Sequence, residues 1–476
     1  MDILDCDALD LSTLLEAREL SAVELMRATL ERITAVNGDV NAIVALRDGD
    51  RLLEEARAMD QTERRGWLHG IPVAVKDLAH VEGIVSSMGS PLQARKVATQ
   101  DSVFVERMRR AGALFIGKTN TPEFGLGSHT FNEVYGATKN PYDMTRSAGG
   151  SSGGAAAALA TRMVCVADGS DMMGSLRNPA AWNNVYGFRP SFGRVPADPE
   201  GEVFLQQMST NGPMGRSPAD IAALLEVMTG WDIRQPHGLL PQMFLDRIRT
   251  NVNGLRIGWL SDWGGAYPME AGVLDTCESA LGVFEQLGCE VVELPAPFEA
   301  AKLWNAWCTL RSWSIAGTLS PLHANLASRG QLKEEAIWEI ERGKALSAMA
   351  VHRASVVRSD WFRRAVELFA DVDILMMPSA QVWPFAVGDR YPKEIAGRTM
   401  DTYHRWMEIV VPVSLLGLPC MSIPAGFGPN GLPMGMQLIG PPRGDLRVLQ
   451  IAQAWHEATN WPGKHPPRPA HSLRLH

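Results

Sequence analysis

No stretch of about 18 consecutive apolar residues occurs in the 476-residue chain, so nothing in it reads as a membrane-spanning helix. An excess of positive charge is also missing. Lysine and arginine total 45 against 53 aspartates and glutamates, a net charge of −8, and no Lys/Arg run supplies a local basic patch. The electrostatic footprint of a nucleic-acid binder is therefore absent. Six cysteines, Cys6, Cys165, Cys277, Cys289, Cys308 and Cys420, form no C-x-x-C pair and share no regular spacing. They read as unpaired thiols of a reducing compartment rather than as a disulfide framework or zinc site. The eleven histidines include neither H-E-x-x-H nor H-x-H. The opening residues, MDILDCDALDLSTLL, lack the positive n-region and apolar h-region of a secretory signal. The expectation is a cytoplasmic protein that takes no metal or other cofactor.

What the chain does have is a globular balance, 46% hydrophobic and 21% charged, which excludes a collagen-like or disordered polymer. Its first sixty or so residues read as helical. Thr13-x-x-Glu16 and Ser21-x-x-Glu24 both fit a capping box, and Val23, Met26, Leu30 and Ile33 recur at helical spacing. From about residue 70 short apolar runs alternate with amphipathic segments. The runs are Ile71–Val75, Leu114–Ile116, Met163–Ala167, Leu255–Trp259, Val372–Met377 and Met421–Pro424; Asp101–Ala111 and Ala219–Thr229 lie between them. That alternation predicts an α/β protein with a mostly buried sheet. We read residues 1–476 as one domain: an N-terminal helical segment 1–65, a central part 66–225, a peripheral helical region 226–370, and a C-terminal part of the core 371–476.

Two motifs fit familiar patterns but lack the surroundings those patterns need. Gly112-Ala113-Leu114-Phe115-Ile116-Gly117-Lys118-Thr119 matches the phosphate loop G-x-x-x-x-G-K-T. Its intervening residues are bulky and apolar, which suits a strand, and backbone N–H groups held in a ladder cannot cradle phosphate. Gly150-Ser151-Ser152-Gly153-Gly154 fits the G-x-S-x-G nucleophile elbow, yet the preceding TKNPYDMTRSA reads as a loop rather than a strand.

The glycine- and serine-rich span makes more sense together with one lysine. Ser151 and Ser152 sit where a loop enters the helix Ala155–Ala160, and a helix N-terminus offers free N–H donors. Downstream, Asp168-Gly169-Ser170-Asp171-Met172-Met173-Gly174-Ser175 follows an apolar run; glycine there lets backbone approach a ligand closely. Upstream, Lys76 ends the apolar run Ile71–Val75. A lysine at the end of a buried strand pairs, reaches solvent, or loses its proton, and desolvation lowers its pKa toward that of a general base.

Jointly these residues resemble the amidase signature family. Gly70-Ile71-Pro72-Val73-Ala74-Val75-Lys76-Asp77 is similar to the family's lysine motif, Gly149–Gly154 to its GGSSGG block, and Asp171–Pro179, DMMGSLRNP, to its D-x-G-G-S-x-R-x-P block. Family-like text also covers Gly117–Phe124, Asn211–Met214, the stretch from Asp373, and Gly417–Gly440, roughly half the chain in family order. The resemblance implies a mixed, mostly parallel sheet covered by helices on both faces. It also implies a Ser–cisSer–Lys hydrolase acting on a small-molecule amide, with no nucleic-acid or membrane partner; a homodimer is left open. Ser175 would be the nucleophile, Ser151 the bridging serine after a non-proline cis peptide, and Lys76 the base. The N–H groups of Met172, Met173, Gly174 and Ser175 would hold the oxyanion. Gly125, within Phe124–His129, would line the substrate pocket. Arg177 and Asp171 would brace the nucleophile loop. Met173 stands where the family commonly has glycine; a φ above zero there would strain it.

Which amide is cleaved is less legible. Trp304, Trp307, Trp313, Trp338, Trp383 and Trp406 fall in the variable part, where aromatic lining would suit an aryl or alkyl amide, anilide or carbamate. Packing or contact between copies is the competing role. The family also includes the amide-hydrolysing component of glutamine-dependent tRNA amidotransferases, whose glutamine pocket needs an acidic residue for the substrate ammonium. Met407 aligns there, with Glu408 one residue out of step. A non-catalytic binding relative is the third alternative.

Overall fold

Four of the six apolar runs contribute strands to an eight-stranded sheet. Its order is Glu290–Glu293, Arg256–Trp259, Ile374–Pro378, Pro433–Ile439, Cys420–Phe427, Tyr186–Arg189, Thr210–Gly215 and Val166–Asp171. A separate three-stranded sheet sets Leu114–Thr119 between Ile43–Val44 and Pro72–Lys76. The computed structural model describes residues 2–467, so residue 1 and residues 468–476 of the one-domain reading lie outside the described residues. No described helix is long and apolar enough to cross a membrane.

The large sheet is mixed, as expected, but its parallel pairs are the minority rather than the majority. Only Arg256–Trp259 is parallel to its neighbours, Glu290–Glu293 and Ile374–Pro378. The other five junctions are antiparallel. The connections explain this. Parallel neighbours need a crossover. The helix Val273–Gln286 supplies one, and the helical stretch from Ala300 to Leu368 supplies the second. Elsewhere the chain turns back directly, as between Cys420–Phe427 and Pro433–Ile439. The region 226–370 is thus not purely helical: it contributes two strands to one side of the sheet.

Local sequence accounts for some element ends and misses others. Ser21 caps the helix Ala22–Val40 through a complete capping box with Glu24. The box expected at Thr13 does not form. Thr13 lies inside the helix Ala8–Ala17, and its hydroxyl donates to the Leu9 carbonyl at 2.9 Å. The strand expected at Met163–Ala167 instead spans Val166–Asp171, where Asp168, Gly169, Ser170 and Asp171 pair with Thr210–Pro213. The apolar criterion stopped short because the strand's last residues are polar.

The helix Gly153–Ala160, GGAAAALA, is buried along its whole length. Small side chains let it lie against the three-stranded sheet and the N-terminal helices, beside Met26, Ile33, Val36, Val40 and Leu52. At Gly154 a Cβ would stand 2.3 Å from the Asn120 nitrogen and 2.8 Å from the Ala42 carbonyl oxygen, so only glycine allows this approach. The close contact fixes the start of the helix and the serines just before it.

Candidate active site

Lys76 is the last residue of a strand whose five residues are all buried. Its Nζ lies 2.8 Å from Ser151 Oγ, 2.8 Å from Ser152 Oγ, 3.0 Å from Ser170 Oγ and 3.4 Å from the Ser170 carbonyl oxygen. Burial drives its pKa down to about 7, against the opposing pull of Asp168 and Asp171. A neutral amine has two N–H donors and one lone pair, so with these neighbours one hydroxyl can donate to the nitrogen while the others accept from it. The Gly150–Ser151 peptide bond is cis.

Strand alternation places the groups around this amine. Asp168 and Ser170 are two residues apart on the strand Val166–Asp171 and therefore share a face. Asp168 Oδ1 accepts the Lys76 backbone N–H at 3.0 Å, and Ser170 reaches its side chain. Burial pushes Asp168 up to about 6, although the Lys76 N–H and the charges of Lys118 and Lys76 pull it down. Neither Ser170 nor Ser152 was singled out from sequence as a neighbour of Lys76. The period of two from Asp168 was the available signal for Ser170.

The two rejected motifs take other forms. Leu114–Thr119 is a strand paired on both sides, and the Lys118 ammonium donates to the Ala79 carbonyl and faces Asp77 at 3.7 Å. Ahead of Ser152 a short strand, Asp143–Ser147, does exist, but it pairs in a hairpin with Lys139–Asn140 outside the central sheet. No α/β-hydrolase elbow is built there.

Asp171 opens the loop that bears Ser175. Its carboxylate pairs with Arg177 at 3.0 Å and Arg189 at 3.1 Å, all three side chains fully buried. Burial alone would raise the Asp171 pKa; the two guanidinium charges and the Arg177 hydrogen bonds outweigh it and hold the acid well below the usual carboxylate range. Arg177 further donates to the Val410 carbonyl (3.1 Å), Gln437 Oε1 (2.5 Å) and Ser414 Oγ (2.8 Å). Asp171 also accepts the Gly174 N–H at 2.9 Å and the Leu176 N–H at 3.1 Å.

That bond corrects one expectation: the Gly174 N–H is committed to Asp171 and is not a free oxyanion donor. The N–H groups of Met172, Met173 and Ser175 have no acceptor among the described residues. Met173 is not in the left-handed region; Gly174 is, at φ 76°, with a would-be Cβ 2.9 Å from the Val410 side chain. The strain feared at Met173 therefore falls on a glycine.

A cavity of about 100 Å³ opens on these groups. Ser151, Ser170, Met172, Met173 and Ser175 line one part; Leu78 and Phe124–Ser128, including Gly125, line another; Ser209, Arg311, Ile315 and Met407 complete it. Gly174 does not reach it. None of the six tryptophans does either, so the expected tryptophan lining is absent, and among the described residues Phe124 is the one aromatic in the wall. Trp406 stacks on Trp182, Trp304 packs on His404, and Trp307 is fully buried. Packing won at these positions.

The chain belongs to the amidase family: the family model described as Amidase matches residues 24–449. It is similar to an acylamidase of Rhodococcus erythropolis, 32% identical over 98% of this chain and 97% of that protein. Among solved structures, a bacterial aryl acylamidase of the amidase signature enzymes superposes with a TM-score of 0.90 at 29% identity, covering 98% of this chain and 99% of that one. A native peptide amidase from Stenotrophomonas maltophilia superposes with a TM-score of 0.81 at 27% identity, covering 98% of each chain. Components of glutamyl-tRNA(Gln) amidotransferases are similar too, that of Nitrosomonas europaea being 32% identical over 98% of this chain and 99% of its own length.

Proposed function

We propose that the protein hydrolyses the carbon–nitrogen bond of a small, uncharged carboxylic amide through an acyl-enzyme on Ser175. The observation that supports this most is the buried Lys76 amine, 2.8 Å from Ser151 Oγ, with Ser151 and Ser175 on the wall of one cavity. Neutral Lys76 takes the Ser151 proton as Ser151 takes that of Ser175, and Ser175 Oγ attacks the amide carbonyl. The N–H groups of Met172, Met173 and Ser175 hold the resulting oxyanion; such donors are commonly worth about 3–4 kcal/mol each. The Lys76 ammonium returns the proton through Ser151 to the departing amine as the carbon–nitrogen bond breaks. Water, deprotonated by the same route, then cleaves the ester and restores Ser175.

Amidotransferase chemistry is the weaker alternative. An ammonium-bearing substrate such as glutamine needs a carboxylate, yet among the described residues no Asp or Glu lines this cavity. Met407 does, while Glu408 turns to Arg405 at 2.9 Å. Treatment with an aryl fluorophosphonate, followed by peptide mapping, tests the nucleophile. An adduct on Ser175 that is lost in Ser175→Ala is expected, alongside cleavage of simple anilides or primary amides. No adduct and no cleavage would overturn the assignment. Glutaminase activity appearing only with a partner protein would support the alternative.

A further inference from the structure

Among the described residues Arg311 is the one charged side chain on the cavity wall, 3% exposed on the helix Ala300–Ala324. Its Nε donates to Glu339 Oε1 at 2.7 Å and its Nη2 to Tyr403 Oη at 2.9 Å, while Tyr403 Oη donates to Glu339 at 2.8 Å. Glu339 also accepts from Ser312 Oγ, so its charge is fully engaged. The guanidinium is thus neutralised on its far side. On its near side Nη1 meets, among the described residues, only Met172 Sδ, at 3.5 Å. A thioether is a weak acceptor. The fork therefore presents N–H donors to the cavity with little net charge behind them, next to the loop proposed to hold the oxyanion.

We propose that Arg311 forms a subsite for a second, uncharged oxygen acceptor on the substrate, such as an ether, ketone, ester or further amide oxygen. This rests on the amide-hydrolase assignment above and narrows it. The substrate oxygen replaces the Met172 thioether as acceptor for Nη1. The same arrangement disfavours substrates with an ammonium group, since the fork offers only N–H donors and, among the described residues, no carboxylate lines the cavity.

Matched anilides test this: an acyl chain bearing an ether or keto oxygen, its methylene isostere, and a version ending in an ammonium. A hydrogen bond to a charged donor makes the expected kcat/KM ratio of oxygen to methylene substrate about 10 to 100, with the ammonium compound poorest. In Arg311→Met combined with Glu339→Gln, which leaves no lone buried charge, the ratio should fall to about 1. Arg311→Lys keeps the charge without the planar fork and should lower the ratio several-fold, so the idea stays testable if the double variant does not fold. An oxygen preference that is absent in the wild type, or equal in wild type and variants, would overturn the subsite while leaving the hydrolase standing. Failure of the wild type to cleave these anilides or the matching primary amides, with no fluorophosphonate adduct on Ser175, would overturn both.

Discussion

The rate should follow the proton on Lys76. An ordinary lysine with a pKa of 10.5 is neutral in about one molecule in three thousand at pH 7, whereas a pKa of about 7 makes about half the enzyme competent. Burial thus raises the supply of base roughly a thousandfold at neutral pH. The profile of log kcat/KM should rise with pH through about 7 and level off above about 8, since kcat/KM reports the free enzyme. Below about pH 6 the limb should be shallower than one unit per pH unit. Asp168 protonates there, and losing its charge lowers the proton affinity of the nearby amine. The measurement is initial rate against pH with a neutral anilide whose own groups do not titrate. Lys76→Ala should lower kcat/KM by about 100- to 10,000-fold, the usual range for a general base. A flat wild-type profile from pH 5.5 to 9, or near-normal turnover in Lys76→Ala, would refute the proton relay.

Other consequences can be measured separately. Ser175→Ala should abolish turnover while the thermal transition stays within a degree or two of wild type. Asp168→Asn should move the profile's midpoint to lower pH, because a negative charge that favours the ammonium is removed. Asp171→Asn leaves two buried guanidinium groups without their carboxylate and should cost about 3–5 kcal/mol in denaturant unfolding. Gly154→Ala forces a methyl against backbone and should cost about 1–3 kcal/mol or more, with only small losses expected if the helix could shift. The folded-state pKa of Lys76 lies below its unfolded value, so unfolding takes up a proton between about pH 7 and 10.5 and stability should increase with pH there. Lys76→Met should remove a slope of up to about 1.4 kcal/mol per pH unit from that window.

Much of the site was readable from sequence because its parts are local. Lys76 ends an apolar run, the small-residue helix follows Ser151 and Ser152, and Asp171 and Arg177 lie close together around the same loop. Strand positions followed burial, so the runs Leu114–Ile116 and Val372–Met377 marked the strands that span Leu114–Thr119 and Ile374–Pro378. Strand direction was not: it depends on how the connections run, and helices such as Ala300–Ala324 show periodicity but not destination. Arg311 escaped for the same reason. Nothing in its own segment says that it lies over a loop far upstream, nor that Glu339 neutralises it. The tryptophans misled because large aromatics fill a core as readily as they line a pocket, and nothing local separates the two uses.

Arg311 and Met172 touch although they lie 139 residues apart in sequence. The proposed catalytic residues stand on a strand end and a braced loop, whereas part of the cavity wall beside them belongs to the long helix Ala300–Ala324 from another part of the chain. If the proposed relay holds, changing that wall for a different acyl group need not disturb it, so Arg311 and Ile315 are the first positions to substitute in a test of selectivity at constant chemistry.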